Sequence, residues 1–220
     1  MSVLASPTTE FGAVRRSRVR QALLSFGLLS SLLYIVATDV VAAGRWEGYN
    51  RTSRMVSDLF AVGAPSRQAL VPLFAVYTVL VTGFGIGIWI SAEKNRALRA
   101  TGALLIGFGL ANALGSFFPL NLGSDDAVPM HIVATVGLIV FMMAAVIASA
   151  WAFGRGFFIY AFATIGTMLV SSTMSFVDVA EDPTPFLGIT ERISIGSFLL
   201  WAAVLSIILI RNPVPPRQGV

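Results

Sequence analysis

The chain has 220 residues, of which 56% are hydrophobic and 12% charged, and its mean hydropathy of +0.81 excludes an ordinary soluble protein. A net charge of +4 and a pI near 10.1 do not imply nucleic acid, because the basic residues alternate with long apolar runs instead of forming one stripe. With no cysteine and a single histidine, His131, the chain lacks the ligands for disulfides, iron–sulfur clusters, a usual zinc site or a diheme centre, so neither a cofactor nor a metal is expected.

In chain order, residues 1–21 carry Arg15, Arg16, Arg18 and Arg20 and read as a cytoplasmic tail. Six apolar runs follow, at about 22–43, 70–91, 97–118, 130–153, 157–177 and 189–210, each close to the ~20 residues that a helix needs to cross ~30 Å of hydrocarbon. Backbone polar groups in lipid need internal partners, so these runs are expected to form one all-α, multi-pass bundle of six transmembrane helices. The first run exceeds the ~7–15 apolar residues of a signal peptide. The small residues VVAAG at its end leave a cleaved leader as the alternative. Residues 211–220 read as a second cytoplasmic tail, stiffened by proline.

Placing the N-terminus in the cytoplasm puts ten of the fifteen basic residues inside, and nine of the eleven acids at or beyond the outer helix ends. Both termini are then cytoplasmic. The stretch 44–67, GRWEGYNRTSRMVSDLFAVGAPSR, falls outside and breaks the charge rule with Arg45, Arg51, Arg54 and Arg67. Asp58 sits there within the apolar MVSDLFAV, which predicts a short helix or re-entrant turn folded back on the bundle. An aspartate so placed needs a partner, and Arg51, Arg54 and Arg192 are the candidates.

Small residues recur at four-residue spacing, as Gly83 and Gly87 in the second run and as Ala103, Gly107, Ala111 and Gly115 in the third. Such ridges let helices approach closely and are expected to pack within one chain, with a homo-oligomer seam as the alternative.

Polar residues concentrate toward the outer ends. Asn112 and Ser116 share a face of the third run, with Asn112 about 9 Å below Phe118. Ser171, Ser175 and Asp178 make a stripe on the fifth run, running inward from its outer end. Together they suggest a cavity open to the outside, although hydrogen bonding between helices explains them equally well. Glu191 and Arg192 are adjacent, about 100° apart on a helix, and should find different partners. His131 opens the fourth run, either bonded to a loop carbonyl or serving as an acid, a base or a phosphate contact. The chain contains no G-x-S-x-G, H-E-x-x-H or P-loop pattern.

The order YNRTSRMVSDLFAVGAPSR, then GSFFPLN, then His131, then GITERISIGSFLLW resembles the domain-of-unknown-function 998 family of bacterial and archaeal membrane proteins, over roughly residues 22–210. The resemblance implies an integral-membrane fold without an assigned activity, and it draws attention to Ser57, Asp58, Gly63, Pro119, His131, Gly188 and Arg192. Family members often carry an aspartate soon after the F-P turn; here Leu120 and Asn121 follow Pro119, and the acids come later at Asp125 and Asp126. A looser likeness to alkaline-ceramidase-type hydrolases fails on histidine count.

The leading expectation is therefore a prokaryotic plasma-membrane protein with an outward-facing polar pocket for an anionic lipid headgroup or small anion. Arg51, Arg54 and Arg192 would supply the charge, and Asp58, Asn112, His131, Asp178 and Glu191 would orient it. One alternative is a metal-independent transferase, hydrolase or cyclase using Asp58 or Glu191 with His131. A transporter component is another, disfavoured because few ionisable residues lie in the inner half of the bundle.

Overall fold

A computed structural model describes residues 7–123, 128–179 and 185–212; for residues 7–16, 128 and 176–179 it describes the backbone alone. Six helices long and apolar enough to cross a membrane are present, in one all-helical bundle. They are α1 (Pro7–Ile35), α2 (Arg67–Ser91), α3 (Arg96–Gly115), α4 (Val128–Ser149), α5 (Arg155–Val179) and α6 (Leu187–Arg211). Each helix packs on the next in sequence and α6 returns to α1, so the bundle closes on itself.

The starts of α1 and α3 and the ends of α2 and α6 share one end of the bundle, here the terminal face. There Arg20 Nε donates to Ser91 Oγ at 2.8 Å and Arg20 Nη2 to the Leu209 carbonyl at 3.3 Å. The opposite end, the loop face, carries the connectors that follow α1, α3 and α5.

Lipid offers no hydrophobic force to join helices, so contact rests on close packing and hydrogen bonds. The expected Gly83/Gly87 pair is spent within the chain. A Cβ on Gly83 would meet the Phe26 ring at 2.6 Å, and one on Gly87 would meet Leu23 Cβ at 2.9 Å, so α1 seats directly on α2. Gly107 likewise receives the Phe141 ring of α4. Hydroxyls supply the polar half of the packing: Ser31 Oγ donates to the Leu199 carbonyl at 2.9 Å and Ser206 Oγ to the Leu24 carbonyl at 2.7 Å, both tying α1 to α6. The interior is filled by Phe84, Ile88, Leu105, Phe198, Trp201 and Leu205, all buried.

Three boundaries differ from expectation. α1 begins at Pro7, well before the apolar run, and at its far end it widens into a π-helical stretch, Val36–Ala42, followed by a 3-10 turn, Ala43–Arg45. α3 stops at Gly115, and a turn over Ser116–Phe118 precedes Pro119, whose ring disfavours helix in the residue before it. α4 stops at Ser149 rather than running to residue 153, and a short turn leads into α5.

The loop after α1 folds back as the apolar MVSDLFAV predicts. Ser57–Phe60 form one 3-10 turn, and Val56 and Leu59 are buried with Ala37, Ala42 and Leu70 in a small core beneath it. Further on, Val62 bonds Leu120 and Leu122 through backbone contacts of 2.7 and 3.1 Å, which fastens the loop to the α3–α4 connector. Residues 44–66 therefore lie across the loop face from α1 and α6 to α3.

Candidate functional site at the loop face

The widened π turn at the end of α1 carries Asp39, and the first turns of α6 carry Gly188, Glu191 and Arg192. The loop between α1 and α2 passes over both. At Gly188 the loop touches the α6 backbone: a Cβ there would collide with the carbonyl oxygens of Arg51 and Arg54, and Ile189 N–H donates to the Thr52 carbonyl at 3.0 Å.

Arg192 occupies the centre of this junction. Its Nε donates to Asp39 Oδ1 at 2.9 Å, its Nη1 to the carbonyls of Arg51, Arg54 and Gly188 at 3.0, 3.1 and 3.0 Å, and its Nη2 to the Tyr49 hydroxyl at 2.8 Å. Five acceptors thus surround one guanidinium, whose rigid fork suits such an arrangement better than an ammonium would. The Tyr49 hydroxyl passes the tie onward by donating to the Met55 carbonyl at 2.8 Å. Burial raises the Tyr49 hydroxyl above its ordinary pKa, against the opposing pull of Arg192.

Glu191 points elsewhere, as neighbouring helical positions must. Its carboxylate accepts the Val56 N–H at 2.5 Å, so it caps a free amide at the start of the 3-10 turn from a different element. Asp58, one residue into that turn, lies within the fields of Arg54, the Met55 N–H and His131. Burial raises its carboxyl above the usual range, and those three partners offset this only in part.

The remaining predicted residues are distributed as follows. Arg51 donates to the Asp39 carbonyl at 2.6 Å and lies 4.0 Å from Asp39 Oδ1, with its side chain 54% exposed. Arg54 is exposed, its guanidinium 4.9 Å from the centre of the Trp46 ring. His131 Nδ1 is 3.1 Å from the Phe118 carbonyl, the loop-carbonyl arrangement that was one of its two alternatives. Asn112 Nδ2 donates to Thr78 Oγ1 at 2.6 Å and so links α3 to α2. On α5, Ser175 Oγ donates to Thr190 Oγ1 at 2.8 Å and Ser172 meets Ser194 at 3.1 Å, which stitches α5 to α6. Asp178 belongs to the last turn of α5, but its side chain lies outside the described residues, as do Asp125, Asp126, Glu181 and Asp182.

One group emerges from this. Asp39, Tyr49, Arg51, Gly188 and Arg192 form a closed knot, and the space beside it, lined by Tyr34, Val56, Ile195 and Gly196 among others, is about 50 Å³, room for one or two waters. Asp58 lies in the 3-10 turn and Glu191 caps its start, while Arg54 precedes the turn and lies over Trp46, and His131 stays bonded to the Phe118 carbonyl. Asp39 and Tyr49 were not among the expected site residues. Asp39 had a sequence signal, an acid near the end of an apolar run, whereas Tyr49 had none.

The described residues contain no group of three or more His, Cys, Asp or Glu placed to hold a metal ion. The chain belongs to the family whose model, described as "Protein of unknown function (DUF998)", matches residues 28–208. No curated protein and no solved structure matches the chain.

Proposed function

We propose that this member of the DUF998 family is a membrane-embedded binder of anionic lipid headgroups, in which Arg51 and Arg54 make the contact and Arg192 holds their loop in place. The observation that carries the reading is the state of Arg54. Its guanidinium is exposed and stacked on Trp46, and among the described residues no carboxylate lies within 4.0 Å of it. A cation lying over an indole beside exposed Arg45 and Arg51 presents donors to phosphate at the depth where tryptophan settles in bilayers. The basic residues crowded on the other flanks support placing the loop face outside a prokaryotic plasma membrane, with both termini cytoplasmic.

The test is lipid retention through purification, counted by native mass spectrometry. Arg51→Gln and Arg54→Gln together should reduce bound anionic phospholipid by about fivefold per arginine, the worth of one basic residue at an anionic surface. Unchanged lipid content in the double variant overturns the assignment. Arg192 leaves the ligand set in this reading, because its donors already serve the protein.

A second reading, acid–base chemistry, is favoured by Asp58, whose carboxyl burial raises above the usual range on the same face that carries His131, bonded to the Phe118 carbonyl. Glu191 is committed to the Val56 amide, so this reading rests on Asp58 and His131 alone. Lipid turnover by purified protein that survives Asp58→Asn removes it.

A further inference from the structure

At the terminal face, α2 and α3 approach until their backbones touch. A Cβ on Gly85 would sit 2.9 Å from the Gly102 carbonyl oxygen, and one on Gly102 would sit 2.8 Å from that of Gly85. With the helix axes so close, the larger side chains on the outward side stand up on either side of Ala103. Ile86, Trp89 and Ile106 wall a groove there of about 320 Å³, open toward the lipid.

One end of this groove is basic. Arg96, Arg99, Ala103 and Ile106 follow one another on a single face of α3, at spacings of three, four and three residues. Arg99 lies 5.9 Å from the Trp89 ring and donates Nη2 to the Glu93 carbonyl at 2.6 Å. Glu93 presents that carbonyl from a left-handed conformation, φ 43°, in the connector between the helices. Lys94, Arg96 and Arg99 are exposed, and among the described residues none has a carboxylate within 4.0 Å.

We propose that this groove holds one acyl chain of an anionic glycerophospholipid whose phosphate rests on Arg96 and Arg99. The dimensions agree. Ten residues separate Arg96 from Ile106, about 15 Å along the helix, which is half the ~30 Å hydrocarbon core and therefore one leaflet. The volume accommodates roughly ten water-sized groups, a stretch of a single chain. Charge selects the headgroup: two arginines on the first turn of α3 and a lysine in the connector stand against one acid, and the arginine fork matches a phosphate. The site lies at the opposite end of the bundle from Arg51 and Arg54, so either assignment can fail without the other.

Trp89 is a built-in reporter. In vesicles containing lipids brominated in mid-chain, its emission is isolated from that of the other tryptophans by subtracting the Trp89→Phe variant. Brominated anionic lipid should quench Trp89 with a higher relative affinity than brominated phosphatidylcholine, by about fivefold for each arginine. Arg96→Gln with Arg99→Gln should equalise the two lipids, and Ala103→Phe, which fills the groove, should erase the preference with both arginines intact. Equal quenching by the two lipids in the unaltered protein overturns the proposal, as does a preference that persists without the arginines. Weak quenching by both lipids, together with disulfide formation between copies of an Ala103→Cys variant of this cysteine-free chain, assigns the groove to a second copy and also overturns it.

Discussion

Replacing Arg192 tests whether the loop face is organised around a single guanidinium. The side chains of Arg192 and Asp39 are 16% and 32% exposed, so their contact at 2.9 Å is partly shielded from water. A hydrogen bond between charged groups in such a setting contributes about 1.5 kcal/mol, the lower end of its range, because some solvent reaches Asp39. The carbonyls of Arg51 and Arg54 belong to exposed residues and can bond water once the arginine is gone, so each loses only ~0.5 kcal/mol, with a similar loss at Tyr49. Arg192→Gln should therefore destabilise the closed loop by about 3 kcal/mol, which raises its opening equilibrium roughly 150-fold.

Arg192→Lys separates charge from geometry. A lysine retains a cation for Asp39 but has one nitrogen where arginine offers three, so it should lose about half as much and open the loop roughly tenfold more often. The assay is amide hydrogen exchange over residues 55–62 in nanodiscs, where the Val56 N–H is held by Glu191, the neighbour of Arg192. The expected order of exchange is native, then Lys, then Gln. A Gln variant exchanging within about threefold of the native protein would mean that the knot contributes under ~0.7 kcal/mol, and the reasoning from its geometry fails.

Two further outcomes follow from the same face. Gly188→Ala forces a methyl group into the carbonyls of Arg51 and Arg54 and should cost about 1–3 kcal/mol, read as faster exchange over the same amides; exchange at the native rate would show that the loop shifts at no cost. Asp58 has its carboxyl raised in the folded protein, so its favourable contribution is complete below the unfolded value and is lost as pH rises through the folded one. Protection of the loop, corrected for intrinsic exchange, should thus decline as pH rises above the ordinary carboxylate range. Asp58→Asn should flatten that decline, and an unchanged slope in the variant assigns the pH dependence to another group.

The six spans are legible in the sequence because length and backbone satisfaction in hydrocarbon leave few options. The divergence of Glu191 and Arg192 is legible for a similar reason, since 100° of rotation sends neighbours to different partners. The partners themselves are not. Arg192 was expected to meet Asp58 or an anion, yet it meets Asp39, 153 positions away, because α6 returns to α1 when the bundle closes. The π stretch that carries Asp39 leaves no local mark either: VATDVVA has no glycine or proline, and its widening accompanies packing against α2 and the loop. Asn112 and the serines of α5 illustrate how a polar stripe can support two readings, and their hydrogen bonds to Thr78, Ser194 and Thr190 are those of helix contact.

The contrast between the two halves of the bundle bears on what kind of activity the fold can support. From the middle of the bundle toward the terminal face, Phe108 and Phe198 approach with ring centres 5.3 Å apart, Trp201 stacks on Phe198 at 5.5 Å, and its indole N–H is taken by Ser149 at 3.1 Å. Thr101, Thr164 and Ser206 there return their hydroxyls to backbone carbonyls, so they add no free polar surface. Among the described residues the charged groups of that half are confined to its rim, where Arg20 bonds Ser91 and Leu209, and the buried side-chain polar atom left without a partner is the Tyr160 hydroxyl. Carrying an ion through this interior would strip its hydration without replacement, at a cost of several kcal/mol. Charge at the loop face meets no such obstacle, since Arg51 and Arg54 stand exposed and the knot beneath them is already neutralised by Asp39 and backbone carbonyls. A bundle packed with apolar side chains at one half and polar at the other supports the proposed binding at the loop face over passage of an ion through the interior.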